Sequence, residues 1–188
     1  MKPGTVIVLN GTSSSGKTSI IRALQDSLDE PFLEAGIDKF IWMMPRRYLE
    51  RPLWDDVLGL AHTAGAAGQQ LVRTMHTAVA AISRSGSHVI ADHVLVDPRW
   101  LPACAAAFAD LPAYFIGVRC PLEVLEARET MRRDRTLGQA KAQFHLVHAH
   151  AVYDLEVDTA LLTPQQCAAQ IITRLVDPPW AFKRLTAV

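Results

Sequence analysis

Hydrophobic positions follow two periods along this chain. Val6-Ile7-Val8-Leu9 and Val89-Ile90-Ala91 are unbroken apolar runs of the kind found in strands buried on both faces. Ile20, Ile21, Leu24 and Leu28 instead recur at the spacing of one helix face. Read along the whole chain, the pattern predicts five strands at about 5–10, 32–37, 88–94, 113–119 and 152–157. Helices are predicted at about 17–28, 40–49, 55–84, 99–109, 121–134, 137–149 and 164–176. Strands that alternate with helices imply an α/β fold, a five-stranded parallel sheet flanked by helices in three layers.

Helix starts carry their own signals. Asp97-Pro98 offers an N-cap followed by proline, and Thr163-Pro164-Gln165-Gln166 is a capping box with proline inside it. The last predicted helix buries Cys167, Ile171, Ile172 and Leu175. The stretch at about 40–84 breaks the strand–helix rhythm. Trp42, Met43, Met44 and Tyr48 cluster at its start, Trp54 follows Arg51-Pro52, and Gly65 and Gly68 mark a kink in its long helix. Placed over the carboxyl ends of the strands, this segment would be a cap whose aromatic and methionine side chains line an apolar pocket. Core packing is the competing reading of the same residues.

Composition narrows the partners. The 188 residues carry 19 Lys plus Arg against 19 Asp plus Glu, so there is no overall basic field for nucleic acid. Cys104, Cys120 and Cys167 are widely spaced and form no metal or CxxC pattern, which fits reduced thiols and a cytoplasmic location. The apolar run after Lys2 is too short for a signal peptide, and no stretch approaches the roughly 20 residues of a membrane span. The length prior makes residues 1–188 one domain.

Between the first strand and first helix lies Gly11-Thr12-Ser13-Ser14-Ser15-Gly16-Lys17-Thr18, a complete G-x-x-x-x-G-K-[ST] phosphate loop in its required context. Its backbone N–H groups, extended by Ser19, are expected to surround the phosphates of ATP, with Lys17 on the β- and γ-phosphates and the Thr18 hydroxyl on Mg²⁺. Asp38, at the end of the second predicted strand, is placed to accept a proton from a substrate hydroxyl, and N-capping the next helix is its alternative use. Asp92 ends the third strand and is a candidate for Mg²⁺, or the rival base, and His93 beside it is a candidate substrate contact. Arg128, Arg132, Arg133 and Arg135 crowd eight residues and read as a lid over the nucleotide, at about 128–140. Glu129 and Arg133 have the spacing of a surface i,i+4 pair. His145, His148 and His150 lack nearby carboxylate or cysteine ligands, which argues against a metal site. No guanine-reading Asn/Thr-Lys-x-Asp or G-x-S-x-G elbow is present.

Taken with Ile7-Val8-Leu9-Asn10-Gly11, Gly36-Ile37-Asp38, Val89-Ile90-Ala91-Asp92 and Gly117-Val118-Arg119-Cys120, the chain resembles the chloramphenicol phosphotransferase family of P-loop kinases. The likeness is densest at Glu126-Ala127-Arg128-Glu129-Thr130 with Arg132, Asp134 and Arg135, and resumes at Val147-His148, Tyr153-Asp154 and Glu156-Val157-Asp158-Thr159. The resemblance implies a P-loop kinase fold, ATP-dependent phosphorylation of a drug hydroxyl, Asp38 as base, and lid arginines at Arg132 and Arg135. His93 stands where that family pattern has a second acid, and the segment at about 40–80 departs from it. Substrate contacts are therefore expected from Asp38, Trp42, Met43, Met44, Asp92 and His93, on chloramphenicol or another hydroxylated antibiotic such as a nucleoside, with drug resistance as the consequence. A polynucleotide 5′-hydroxyl kinase and a non-catalytic nucleotide-binding module use similar parts.

Overall fold

In the computed structural model, which describes residues 1–46, 65–131, 137–150 and 152–187, β1 (Val6–Asn10) is the central strand. It pairs in parallel with β3 (His88–His93) on one side and β4 (Ala113–Arg119) on the other. β2 (Phe32–Glu34) and β5 (Leu155–Asp158) complete a five-stranded parallel sheet of order β2-β3-β1-β4-β5. All five β1 residues are buried, as the apolar run predicts for a strand covered on both faces.

Alternate β1 side chains enter opposite cores. Val6 and Val8 pack with α3 (Ala66–Arg84), α4 (Trp100–Phe108) and α8 (Ala181–Thr186) through Met75, Val79, Trp100, Phe108 and Phe182. Ile7 and Leu9 pack with α1 (Lys17–Ser27) and α7 (Pro164–Arg174) through Ile20, Leu24, Cys167 and Ile171. The protein is thus the three-layer α/β kinase fold, assembled by the period-2 alternation of its strands. The three cysteines are buried free thiols. Among the described residues no helix is long and apolar enough to cross a membrane.

The capping box forms as predicted: Gln166 N donates to Thr163 Oγ1 at 3.2 Å, and Thr163 N donates to Gln166 Oε1 at 2.9 Å. Other boundaries move for identifiable reasons. The second strand stops at Glu34 because α2 (Ile37–Trp42) begins at Ile37, with Gly36 rather than Asp38 at its N-cap. Ser85 caps α3, which begins at Ala66 with Gly65 as N-cap and carries Gly68 as a buried helical residue. The predicted helix at 137–149 shortens to α6 (Gln139–Phe144). Beyond it the Val147 carbonyl accepts a bond from Asn10 Nδ2 at 2.8 Å, so the chain turns instead of coiling on. The fifth strand starts at Leu155: Asp154 N still donates to Phe115 O at 2.8 Å, but its side chain takes the return bond. Its buried carboxylate accepts from Phe115 N at 2.8 Å, Trp180 N at 2.8 Å and Arg174 Nη2 at 3.1 Å. That same carboxylate anchors the start of α8, a helix the periodicity did not reveal. Tyr48, Trp54 and the first part of the predicted 55–84 helix lie outside the described residues.

Candidate functional site

The phosphate loop joins β1 to α1 and opens on a cleft whose walls come from strand ends and from helices that follow them. Asn10 braces the loop's start: Oδ1 accepts from Leu95 N at 2.9 Å, while Nδ2 donates to Val147 O and Tyr153 Oη, both at 2.8 Å. Ser14 (φ 63°) and Gly16 (φ 91°) adopt left-handed backbone, and Lys17 begins α1. Such a turn lines up successive N–H groups around a concavity, at the positive end of a helix. Lys17 Nζ folds back over the loop, donating to Gly11 O at 2.7 Å and Thr12 O at 2.8 Å. The hydroxyl oxygens of Ser13, Ser14 and Ser15 are buried without a protein partner among the described residues. Buried hydroxyls of this kind need an acceptor or donor from elsewhere. The residues present therefore fit a polyphosphate.

This loop floors a cleft of about 550 Å³. Thr18 and Ser19 are exposed on it, and Asp38 and Asp92 form part of its wall. Asp92 stands opposite Leu9 in the sheet register. Its carboxylate rests against the Cα of Gly36, where a Cβ would lie 1.3 Å from Oδ1. Burial raises the Asp92 pKa, the nearby Lys17 ammonium opposes that shift, and the Asp38 and Glu34 charges reinforce it. Lys17, Asp38 and Asp92 thus share one electrostatic neighbourhood. Asp38 sits half-buried in the first turn of α2, rather than at a strand end.

Arg128 lies on α5 (Leu122–Met131) and reaches the loop side of the cleft. It donates from Nη1 to Thr159 Oγ1 at 3.0 Å and from Nη2 to Thr159 O at 2.8 Å. Arg132 and Arg135, with Arg133 and Asp134, lie outside the described residues. Glu129 is a correction: it is not a surface ion-pair partner but is buried, and its carboxylate accepts from Gly138 N at 2.8 Å and Ala140 N at 2.9 Å. A carboxylate on the first N–H groups of α6 both caps that helix and opposes its dipole. Held this way, α6 presents Gln139 and Gln143 to the cleft, and Gln143 Oε1 accepts from the loop's Ser13 N at 2.8 Å. Sequence reasoning missed Gln139, Gln143 and Glu129. The i,i+4 spacing of the glutamines was visible, but their partners are 130 residues away for Gln143 and backbone groups for Glu129.

Four expected substrate contacts, His93, Trp42, Met43 and Met44, are not among the residues that line the cleft. His93 is buried beneath the cleft, away from its lining. Its Nδ1 accepts from Val94 N at 2.8 Å, so its proton is on Nε2 and is donated to His76 Nε2 at 2.9 Å. Burial lowers both pKa values, that of His76 to about 4, so the pair is neutral. Trp42 and Met43 are exposed by 62% and 76%, and Met44 packs against the core. Trp42 and Met43 face solvent because Ile37, Phe40 and Ile41 take the buried face of α2. Among the described residues no group of three or more His, Cys, Asp or Glu is gathered to hold a metal. His148 instead pairs through Nδ1 with Tyr153 Oη at 2.6 Å, and His150 stacks on Phe115.

Residues 4–176 match the model of a family described as chloramphenicol phosphotransferase-like protein. The "Putative O-phosphotransferase" of Mycobacterium tuberculosis is 33% identical over 200 residues, covering 98% of this chain and 89% of that protein. Among solved structures, a sugar kinase from Janibacter sp. superposes with a TM-score of 0.70 at 18% identity, covering 93% of this chain and 95% of its own. The tunicamycin resistance protein of Deinococcus radiodurans gives a TM-score of 0.61 at 20% identity, with 92% and 95% covered. These two likenesses concern the fold.

Proposed function

From the premise that this chain belongs to the chloramphenicol phosphotransferase-like family and is an ATP-dependent O-phosphotransferase, we propose that its acceptor is a hydroxyl of a small antibiotic, chloramphenicol or a similar molecule. The observation that carries the reading is the convergence of the phosphate loop, Asp38 and Asp92 on one cleft. The family match supports the antibiotic class.

When bound, ATP with Mg²⁺ supplies the phosphoryl group and most of the charge neutralisation around it. The loop N–H groups, the Ser13–Ser15 hydroxyls and Lys17 hold the β- and γ-phosphates. For Lys17 this means exchanging its two loop carbonyls for phosphate oxygens. Thr18 and Asp92 would hold the metal, consistent with the carboxylate's place beside the loop. Asp38 orients the acceptor hydroxyl and takes its proton as the oxygen–phosphorus bond forms and the bond to the ADP leaving oxygen breaks. Arg128 and the lid residues Arg132 and Arg135 offset charge on the transferring group. Trp42, Met43 and Met44 would reach substrate together with the cap at about 40–84. We place all these parts, with the lid at about 128–140, in one kinase domain over residues 1–188 in the cytoplasm.

The test is a mass screen. Protein, ATP and Mg²⁺ are incubated with chloramphenicol, nucleoside antibiotics, other hydroxylated drugs, sugars and a 5′-hydroxyl oligonucleotide, with Lys17→Ala as control. One antibiotic gaining a single phosphate, and losing that gain with Lys17→Ala, is the expected result. Phosphorylation of only the sugars or the oligonucleotide would overturn the antibiotic reading.

A further inference from the structure

One cleft residue acts on the phosphate loop without having a place in the chemistry above. Thr159 follows β5 and is held by its own backbone, Thr159 N donating to Arg119 O at 3.0 Å. Its hydroxyl donates to Ser15 O at 2.8 Å and accepts from Arg128 Nη1 at 3.0 Å. Arg128 Nη2 also holds the Thr159 carbonyl at 2.8 Å. Accepting from a guanidinium leaves the single hydroxyl proton for a carbonyl, and Ser15 O at 2.8 Å is much nearer than the other acceptor in reach, Arg119 O at 3.4 Å, so the chain runs Arg128–Thr159–Ser15.

The Ser15 carbonyl shares a peptide plane with the Gly16 N–H. In a trans peptide these two groups point in opposite directions, and no cis bond is present among the described residues. Anchoring the carbonyl on Thr159 therefore turns the Gly16 N–H to the side of the plane away from Thr159. This plane is the one most in need of an anchor. Gly16 has φ 91°, and glycine accepts either sign of φ at little cost, so the plane can rotate where another residue's could not. Thr159 Cγ2 lies 3.5 Å from the position a Gly16 Cβ would occupy, so the methyl closes the outer side as the hydroxyl pins the carbonyl.

We propose that Thr159, oriented by Arg128, is a positioning residue that locks the Ser15–Gly16 peptide with its N–H toward the phosphates, and so couples the last turn of α5 to phosphate binding. Thr159 has no counterpart in the loop motif: it lies 144 residues away and reaches the loop only because β5 lies beside β4. The inference rests on reading residues 11–18 as the phosphate loop of the proposed kinase.

The experiment measures calorimetric dissociation constants, with Mg²⁺, for ATP, ADP and inorganic tripolyphosphate. It uses the wild type, Thr159→Val, Thr159→Ser and Lys17→Ala, with melting temperatures alongside. Valine keeps the shape and removes the hydroxyl, while serine keeps the hydroxyl. Loss of an oriented peptide donor should weaken all three ligands in parallel by about tenfold in Thr159→Val. Thr159→Ser should stay within about twofold of wild type, since it can still make the bond to Ser15. Melting temperatures should stay together. Should Thr159→Val fold poorly, Thr159→Ala carries the same expectation. Unchanged tripolyphosphate affinity in the hydroxyl-less variant overturns the proposal, because a contact to the nucleoside half would weaken only ATP and ADP. A loss in Thr159→Ser as large as that in Thr159→Val also overturns it, since serine keeps the hydroxyl that the proposal makes responsible. Wild-type affinities in Lys17→Ala would instead sink the phosphate-loop reading itself, whatever the Thr159 variants do.

Discussion

Gly36→Ala tests the place of Asp92 with a single methyl group. Gly36 has φ −79° and ψ 171°, extended backbone that alanine adopts without strain, so any effect must come from what the methyl meets. It meets Asp92: the new Cβ would lie 1.3 Å from Oδ1 and 2.5 Å from Cγ, where ordinary contact begins at about 3.4 Å. Rotating the carboxylate about its own axis relieves the oxygen but not Cγ, so the whole group must retreat by about 1–2 Å. Overpacking of this kind costs about 1–3 kcal/mol. For a domain of this size that is a fall in melting temperature of several degrees, at about 2–4 °C per kcal/mol. Displacing a group that positions metal or substrate by about 1 Å lowers kcat by about 10². The assay is steady-state transfer to the acceptor found by the mass screen, with a thermal melt on the same preparation. The double variant Gly36→Ala/Asp92→Ala separates the two effects: removing the carboxylate relieves the clash and restores the melting temperature, yet activity stays low. A Gly36→Ala protein with wild-type melting and wild-type kcat would show that Asp92 does not occupy this position.

Asp38→Asn should lower kcat by about 10²–10⁴ with ATP affinity and melting temperature little changed, because it removes a proton acceptor from a residue that does not cap α2. Asp92→Asn should instead raise the Mg²⁺ concentration needed for activity, and the reverse outcome in a Mg²⁺ titration of both variants would exchange their roles. His76 makes stability pH-dependent: its pKa falls from 6.5 to about 4 on folding, so the unfolded chain binds the proton first as pH drops. Stability from this group is complete above about pH 6.5 and is lost toward pH 4 at up to about 1.4 kcal/mol per pH unit. His93, His148 and His150 shift in the same direction. Urea midpoints that stay constant between pH 7 and pH 5 would refute a neutral buried pair. Glu129→Gln puts an amide where two backbone N–H groups now share a carboxylate, and should cost about 1–3 kcal/mol of stability in a denaturant melt. A wild-type melt would remove the carboxylate from the start of α6.

The local sequence was enough for the central strands, the phosphate loop and the capped α7. Each rests on interactions within a few residues: a β-branched run buried on both faces, left-handed positions in a tight turn, a capping box whose partners are three apart. The family was legible for the same reason, since its motifs are short and occur in order along the chain. Distant contacts decided the rest. His93 left the cleft because His76, on α3, offers the ring a buried partner. Trp42 and Met43 faced outward because the phase of α2 gives its core face to Ile37, Phe40 and Ile41. Glu129 looked like half of a surface i,i+4 pair, but it is buried and its carboxylate is held by the Gly138 and Ala140 N–H groups at the start of α6. Gly36, Gln143 and Thr159 gain their roles only when sheet order brings β3, α6 and β5 against the loop. Periodicity reports which face of an element is apolar; which polar atom lies opposite a given side chain is decided by the packing of elements far apart in sequence.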